Sequence, residues 1–214
     1  LKYWCGAPED HSGIPYDGIN NYIYSDVART FSKKQLERLV KSVGFNNTYF
    51  YYPLPDYKMP QVVYSEEYLP KNGSIDNWIP YYEPNGNSMV SDEEHIYGDL
   101  IDNDVFEFFA NSFMVECCAE NEDIGEIQYA VSSPFRNKEY NMITVYSKND
   151  GFYKIADSDS VNALKSTDNN HKMLDKRGLL VSETNIKGNV MYTKEITGTP
   201  LTEILLREYA DKNE

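Results

Sequence analysis

The chain has 214 residues, a formal net charge of −14 and a sequence pI near 4.6, and hydrophobic residues make up 41% of it. This is the composition of a globular protein, and the length allows one full domain or two small ones. The negative charge argues against nucleic acid or an anionic membrane as a partner, because both would repel such a surface. We expect a cytoplasmic protein, because no apolar run could span a membrane and no signal peptide is present.

The first 22 residues, LKYWCGAPEDHSGIPYDGINNY, are rich in aromatic residues and broken by Gly and Pro. The stretch is too apolar for a flexible tail and too irregular for a helix or strand. Residues 30–45, TFSKKQLERLVKSVGF, predict a helix with a capping box formed by Ser32 and Gln35. One apolar face is expected to be buried, and it consists of Leu36, Leu39, Val40 and Val43.

The aromatic and β-branched run Thr48–Tyr52 predicts a strand covered on both faces and ended by Pro53. Residues 53–90 show no sustained period and are expected to form an ordered excursion. Residues 91–110 predict one helix or two short ones that begin with a solvated acidic run, Asp92, Glu93 and Glu94. Residues 112–118 predict a second buried strand.

A change in composition at residues 119–126 predicts a linker between two domains, 1–118 and 127–214. The second domain has the pattern of a small α+β unit. Its expected order is three strands in an antiparallel meander, a helix, two strands and a final helix, near residues 127–133, 140–147, 151–157, 160–177, 179–185, 189–196 and 199–212.

The cysteines and histidines do not form a metal-binding pattern. Cys5, Cys117 and Cys118 are expected to be reduced, because their number is odd and their spacing fits no disulfide framework. The three histidines are isolated from other ligand types, so we expect no metal site.

Three motifs carry a resemblance to a known family: WCGAPEDHSGIPYDGI, ARTFSKKQLERLVKSVGF and YFYYPLPDYKMP. In this order they resemble the C-terminal portion of bacterial S-adenosylmethionine-dependent methyltransferase domains, especially those fused to glycosyltransferases in surface-polysaccharide gene clusters. The resemblance covers about residues 1–118. It implies an α/β fold with a partial Rossmann-like sheet, in which residues 48–52 are the sixth strand and 112–118 the seventh, and a preceding segment of the same protein would supply the earlier strands.

The resemblance also implies a cofactor, S-adenosylmethionine, and a saccharide or other small-molecule hydroxyl acceptor. The glycine-rich turn that holds such a cofactor is absent, because no G-x-G occurs in the 214 residues. We therefore expect this fragment alone to bind the cofactor poorly or not at all.

Candidate site residues follow from the same resemblance. His11 would be the catalytic base and Asp10 would orient it, while Tyr3, Trp4, Tyr16, Asp56 and Tyr57 would contact or position the acceptor. Each has an alternative structural explanation: Asp10 and His11 could satisfy backbone groups in a loop, the aromatic residues could be packing, and the PLPDY motif could be a turn with an Asx hydrogen bond.

Residues 126–214 resemble, more weakly, the smaller lobe of protein-kinase-like phosphotransferases. Lys154 in FYKIAD would be the nucleotide-binding lysine of the third strand, and TKEITGTPL would be the hinge. The glycine-rich loop, H-R-D and D-F-G motifs are absent. A lysine in such a strand is more often an ordinary strand lysine than a phosphate ligand.

The sequence therefore predicts a fragment of a saccharide methyltransferase that acts in cell-surface polysaccharide biosynthesis. One alternative is a non-catalytic scaffold or docking module for a glycosyltransferase. A kinase-like phosphotransferase is the other.

Overall fold

The computed structural model describes residues 1–8, 13–16, 30–75, 89–120, 122–133, 135–199 and 201–210. The strands are β1 (Asn47–Leu54), β2 (Val62–Ser65), β3 (Met114–Cys118), β4 (Ile127–Val131), β5 (Met142–Ser147), β6 (Gly151–Ala156), β7 (Thr184–Lys187) and β8 (Val190–Thr193). The helices are α1 (Lys33–Ser42), α2 (Tyr97–Asp102), α3 (Phe106–Phe109), α4 (Val161–Lys176) and α5 (Leu201–Ala210), and short 3₁₀ turns occupy Glu93–His95 and Lys138–Tyr140.

The fold is mixed α/β, and its strands form one eight-stranded sheet in the order β3-β1-β2-β4-β5-β6-β8-β7. Every pairing among the described strands is antiparallel. The described sheet is therefore not the parallel Rossmann-like sheet that the resemblance implies. The physical reason lies in the connections, because turns such as those between β5 and β6 are too short to return the chain for a parallel pairing.

Helix α1 confirms the predicted capping box. Ser32 N donates to Gln35 Oε1 at 3.0 Å, and Gln35 N donates to Ser32 Oγ at 3.4 Å. The apolar face is covered only in part, since Leu36 packs against the core while Leu39 and Val43 remain 48% and 68% exposed.

Strand β1 is longer than the sequence predicts, because it continues through Pro53 to Leu54. Pro53 is tolerated because β3 pairs only with residues 47–51 of β1, so one side of the backbone at Pro53 needs no ladder hydrogen bond. The expected burial is confirmed from Tyr49 onward. The core around this strand contains Leu1, Cys5, Phe50, Tyr52, Leu54, Val62, Tyr64, Ile75, Tyr97, Leu100 and Phe106.

Two strands of this region differ from expectation. Strand β2 lies inside the excursion at residues 53–90, where no strand is predicted. Strand β3 is not buried on both sides, because it forms an edge of the described sheet and Met114 is 50% exposed. Of the two predicted possibilities, one helix or two short ones, α2 and α3 correspond to the second.

The sheet continues across residues 119–126, because β2 pairs with β4. Gln128 fixes this junction: its side chain donates to Tyr49 OH and Gly125 O, both at 2.8 Å, and accepts from Ser65 Oγ at 3.1 Å. Gly125 N donates to Glu116 Oε2 at 3.0 Å. The division into domains 1–118 and 127–214 stays a prediction, and the two stretches share one sheet.

The second stretch confirms the meander of β4, β5 and β6. Helix α4 covers one face of its last strands, where Leu164 is buried with Ala156 and Met191. In the described part of the chain, no helix is long and apolar enough to cross a membrane.

Candidate functional site

The N-terminal residues form a compact turn. Cys5 N donates to Leu1 O, Gly6 N to Tyr3 O and Ala7 N to Lys2 O, each at 3.1 Å. Cys5 and Ala7 are buried. The turn is therefore part of the folded body, as the high apolar content of the segment predicts.

The loop after β1 carries Asp56 and Tyr57. Asp56 Oδ1 accepts a hydrogen bond from Lys58 N at 2.7 Å, which is the Asx-type turn that the PLPDY motif favours. Tyr57 N donates to Ser112 Oγ at 3.2 Å, just before β3. The peptide bond between Leu54 and Pro55 is cis. The contact between Tyr57 and Ser112 thus fixes the loop to the segment before β3.

A buried ion pair joins the turn to the loop. Lys2 Nζ lies 3.0 Å from Asp56 Oδ2, and the two side chains are only 4% and 2% exposed. Lys2 Nζ also lies 5.0 Å from the centroid of the Tyr3 ring. Since a buried ion without its partner is costly, this pair fixes the position of two segments that are distant in sequence.

Asn111 connects the same segments a second time. Its Oδ1 accepts from Lys2 N at 2.8 Å, and its Nδ2 donates to Pro55 O at 3.1 Å and to Glu93 Oε2 at 3.0 Å. Glu93 is only 3% exposed. The expectation that Asp92, Glu93 and Glu94 form a solvated acidic run is therefore wrong for Glu93. Sequence reasoning missed Lys2, Glu93 and Asn111, because no local pattern marks contacts between distant segments.

Two of the predicted aromatic residues remain accessible at this site. Trp4 is 54% exposed and packs edge-on against Phe109, with 6.2 Å between ring centroids, and Tyr57 is 56% exposed. Tyr3 is half-buried beside Lys2, and Asp56 is buried. The exposed side chains of Trp4 and Tyr57 therefore belong to two segments that the buried ion pair of Lys2 and Asp56 joins.

The remaining predicted site residues within residues 1–118 are Asp10, His11 and Tyr16. Pro8 and Pro15 form an isolated antiparallel bridge, and Tyr16 follows it with φ of 64° and a half-buried side chain. Asp10 and His11 lie outside the described residues.

Lys154 lies on β6, far along the sheet order from β1. Its Nζ donates to Thr144 Oγ1 at 2.7 Å, and the register places both residues on the face that α4 covers. Burial, and secondarily the charge of Arg136, lowers the pKa of Lys154. A kinase small lobe pairs this lysine with a helix carboxylate, but Asp168 of α4 instead accepts hydrogen bonds from Lys172 and Thr184 at 2.6 Å and 2.5 Å.

The described residues contain no cluster suited to a metal ion. No group of three or more His, Cys, Asp or Glu side chains within them could hold a metal ion, and Cys5, Cys117 and Cys118 are free thiols. The hydrogen-bonding groups around Lys2, Asp56 and Asn111 are already paired with one another. They do not fit a nucleoside cofactor, which needs a glycine-rich backbone turn.

Comparisons with known proteins add no family to this description. No protein-family model matches the chain, and no curated protein or solved structure is significantly similar to it.

Proposed function

We propose that the chain is the acceptor-side part of an S-adenosylmethionine-dependent methyltransferase. Its substrate would be a hydroxyl group of a saccharide or related small molecule in cell-surface polysaccharide biosynthesis. The support from sequence is the order of the three motifs, and the support from structure is a contact between the third motif and Lys2, which lies two residues before the first motif.

The ion pair between Lys2 and Asp56 carries the proposal. The resemblance places the segment around Trp4 and the PLPDY segment at one acceptor cleft, although about 50 residues separate them in the chain. Because Lys2 and Asp56 form an ion pair at 3.0 Å with both side chains buried, the fold itself holds the two segments next to each other. Trp4 and Tyr57 are left accessible on either segment.

The position of β3 gives independent support. Strands β1 and β3, which the resemblance equates with the sixth and seventh strands, are neighbours, and α1 precedes β1. Among the described strands β3 has one neighbour, so no described strand pairs with its other edge. In the proposal, earlier strands of a Rossmann-like sheet pair with that edge.

In this proposal each predicted site residue has its own role. Trp4 and Tyr57 stack against the acceptor, Tyr3 and Tyr16 help to position it, and Asp56 positions the loop through Lys2. His11 accepts the proton of the acceptor hydroxyl, and Asp10 orients its imidazole. The cofactor would be held by other residues of the full-length protein.

The test uses the full-length protein, including any residues that precede Leu1. Isothermal titration with S-adenosylmethionine is expected to show one site, and the variant Trp4→Ala is expected to keep that affinity while losing methyl transfer to the acceptor. Phe135→Ala, which removes another exposed aromatic residue from the second stretch, is the matched control. Absence of cofactor binding by the full-length protein would refute the proposal and leave the non-catalytic docking module for a glycosyltransferase.

A second candidate function rests on Lys154 and Arg136. Burial and, secondarily, the charge of Arg136 lower the pKa of Lys154, whose Nζ donates to Thr144 Oγ1 at 2.7 Å. Such a pair favours an anionic ligand, as in the kinase-like alternative. Thermal stabilisation by Mg-ATP that is abolished in Lys154→Ala would support it, and no stabilisation of the full-length protein would exclude it.

A further inference from the structure

Asn111 joins three segments of the chain through its side chain. It lies between α3 and β3, and its amide uses both its oxygen and its nitrogen. The three partners belong to the N-terminal turn, the loop after β1 and the 3₁₀ turn at residues 93–95. One side chain thus sets the distances among three segments.

We infer that Asn111 is the positioning residue of the candidate site. It fixes the N-terminal turn relative to the Pro55–Tyr57 loop, and therefore the position of Trp4 relative to Tyr57. Its importance for acceptor binding rests on the proposed function, whereas its control of the local geometry does not.

The chemistry of the three contacts requires an amide. Lys2 N needs an acceptor, while Pro55 O and the Glu93 carboxylate need donors. Aspartate would keep the first contact, lose the other two and add a negative charge 3.0 Å from Glu93. Leucine would lose all three contacts.

The neighbouring residue extends the same function along the chain. Ser112 Oγ accepts from Tyr57 N, so residues 111 and 112 together hold both sides of Asp56. The ion pair between Lys2 and Asp56 would still join the two segments without Asn111. Loss of Asn111 is therefore expected to change their orientation and not to separate them.

Fluorescence of Trp4 tests this inference directly. The chain has two tryptophans, so a Trp78→Phe background leaves Trp4 as the only one. In that background, Asn111→Asp is expected to shift the emission maximum of Trp4 to longer wavelength and to increase its quenching by acrylamide. Unchanged emission and quenching in a folded Asn111→Asp protein would overturn the inference.

Asn103→Asp is the matched control. Asn103 Nδ2 donates to Asp99 O at 2.8 Å on an exposed helix end, so the same chemical change there should leave Trp4 unaffected. If Asn111→Asp fails to fold, Asn111→Gln is the variant that tests the inference. Glutamine keeps the amide donors and acceptor of Asn111 but displaces them by one methylene. It is expected to give the same spectral change, and an unchanged spectrum would again overturn the inference.

A parallel titration separates the two proposals. Asn111→Asp in the full-length protein is expected to keep the affinity for S-adenosylmethionine, since in the proposed function the cofactor is held by other residues. If wild-type full-length protein fails to bind the cofactor while the Trp4 signal responds as expected, the proposed function fails and the positioning role of Asn111 stands.

Discussion

Lys2 Nζ and Asp56 Oδ2 form an ion pair at 3.0 Å in which both side chains are almost fully excluded from solvent. The pair connects residues 54 positions apart. It holds together the two segments from which the accessible aromatic residues Trp4 and Tyr57 project.

Breaking this ion pair should be costly. Asp56→Asn removes one charge of a buried ion pair, and we expect the free energy of unfolding to fall by about 3 kcal/mol. Urea denaturation followed by circular dichroism measures the change. The control is Glu183→Gln, which breaks an exposed pair with Lys194 at the same 3.0 Å separation. That change should cost less than about 1 kcal/mol, and equal losses at both positions would contradict the importance assigned to burial.

Glu107 should make stability depend on pH on the acid side. Burial by itself raises the pKa of Glu107, but hydrogen bonds from Lys33 and Tyr52 outweigh it and lower the pKa below its ordinary value. Because the pKa of Glu107 is lower in the folded state, its ionised carboxylate stabilises the fold at pH values above its unfolded-state pKa of about 4.3. That contribution is lost as the pH falls through its folded-state pKa. Urea midpoints measured from pH 6 to pH 2.5 should fall less steeply in Glu107→Gln than in wild type, and identical slopes would show that Glu107 does not contribute.

Gly125 should tolerate no side chain. Its φ is 77°, and a Cβ there would lie 2.5 Å from the ring of Tyr49. We expect Gly125→Ala to destabilise the protein by more than about 2 kcal/mol, because a steric clash adds to the backbone strain. Gly188→Ala tests strain alone, since φ is 63° with nothing within 4 Å, and should cost about 1 kcal/mol. Chemical denaturation compares the two, and a smaller loss at Gly125 would contradict the contact with Tyr49.

Lys154 should destabilise the fold while it is charged. Burial lowers its pKa below the unfolded value of about 10.4, so the unfolded state binds more protons between the two values and stability rises with pH in that window. Lys154→Met should remove this rise and increase the melting temperature at neutral pH by about 1–3 °C. Differential scanning calorimetry between pH 7 and pH 10.5 provides the comparison. A melting temperature lowered by Lys154→Met would show that the bond to Thr144 outweighs the cost of burial.

Local patterns were sufficient to predict several elements. The capping box of Ser32 and Gln35 depends on residues three apart, and the structure has it as expected. The meander of β4, β5 and β6 also follows from alternation within short segments. Helix α4 falls within the predicted range for the same reason.

Pairing between distant strands could not be predicted in this way. Val62–Ser65 has only four residues, and it becomes a strand because β1 and β4 lie on either side of it. The same holds for the candidate site. The motifs indicated Trp4, Asp56 and Tyr57, whereas Lys2, Glu93 and Asn111 acquire their roles only from contacts across the fold.

The pairing of β2 with β4 has a consequence for a chain cut between residues 119 and 126. One piece would contain β2 and the other would contain β4. The pairing of these two strands and the hydrogen bonds between Gln128 and both Tyr49 and Ser65 would therefore join the two pieces. Nicked protein should consequently co-elute as a single complex, and separately produced halves should reassemble when mixed, so this site suits a split-protein reporter.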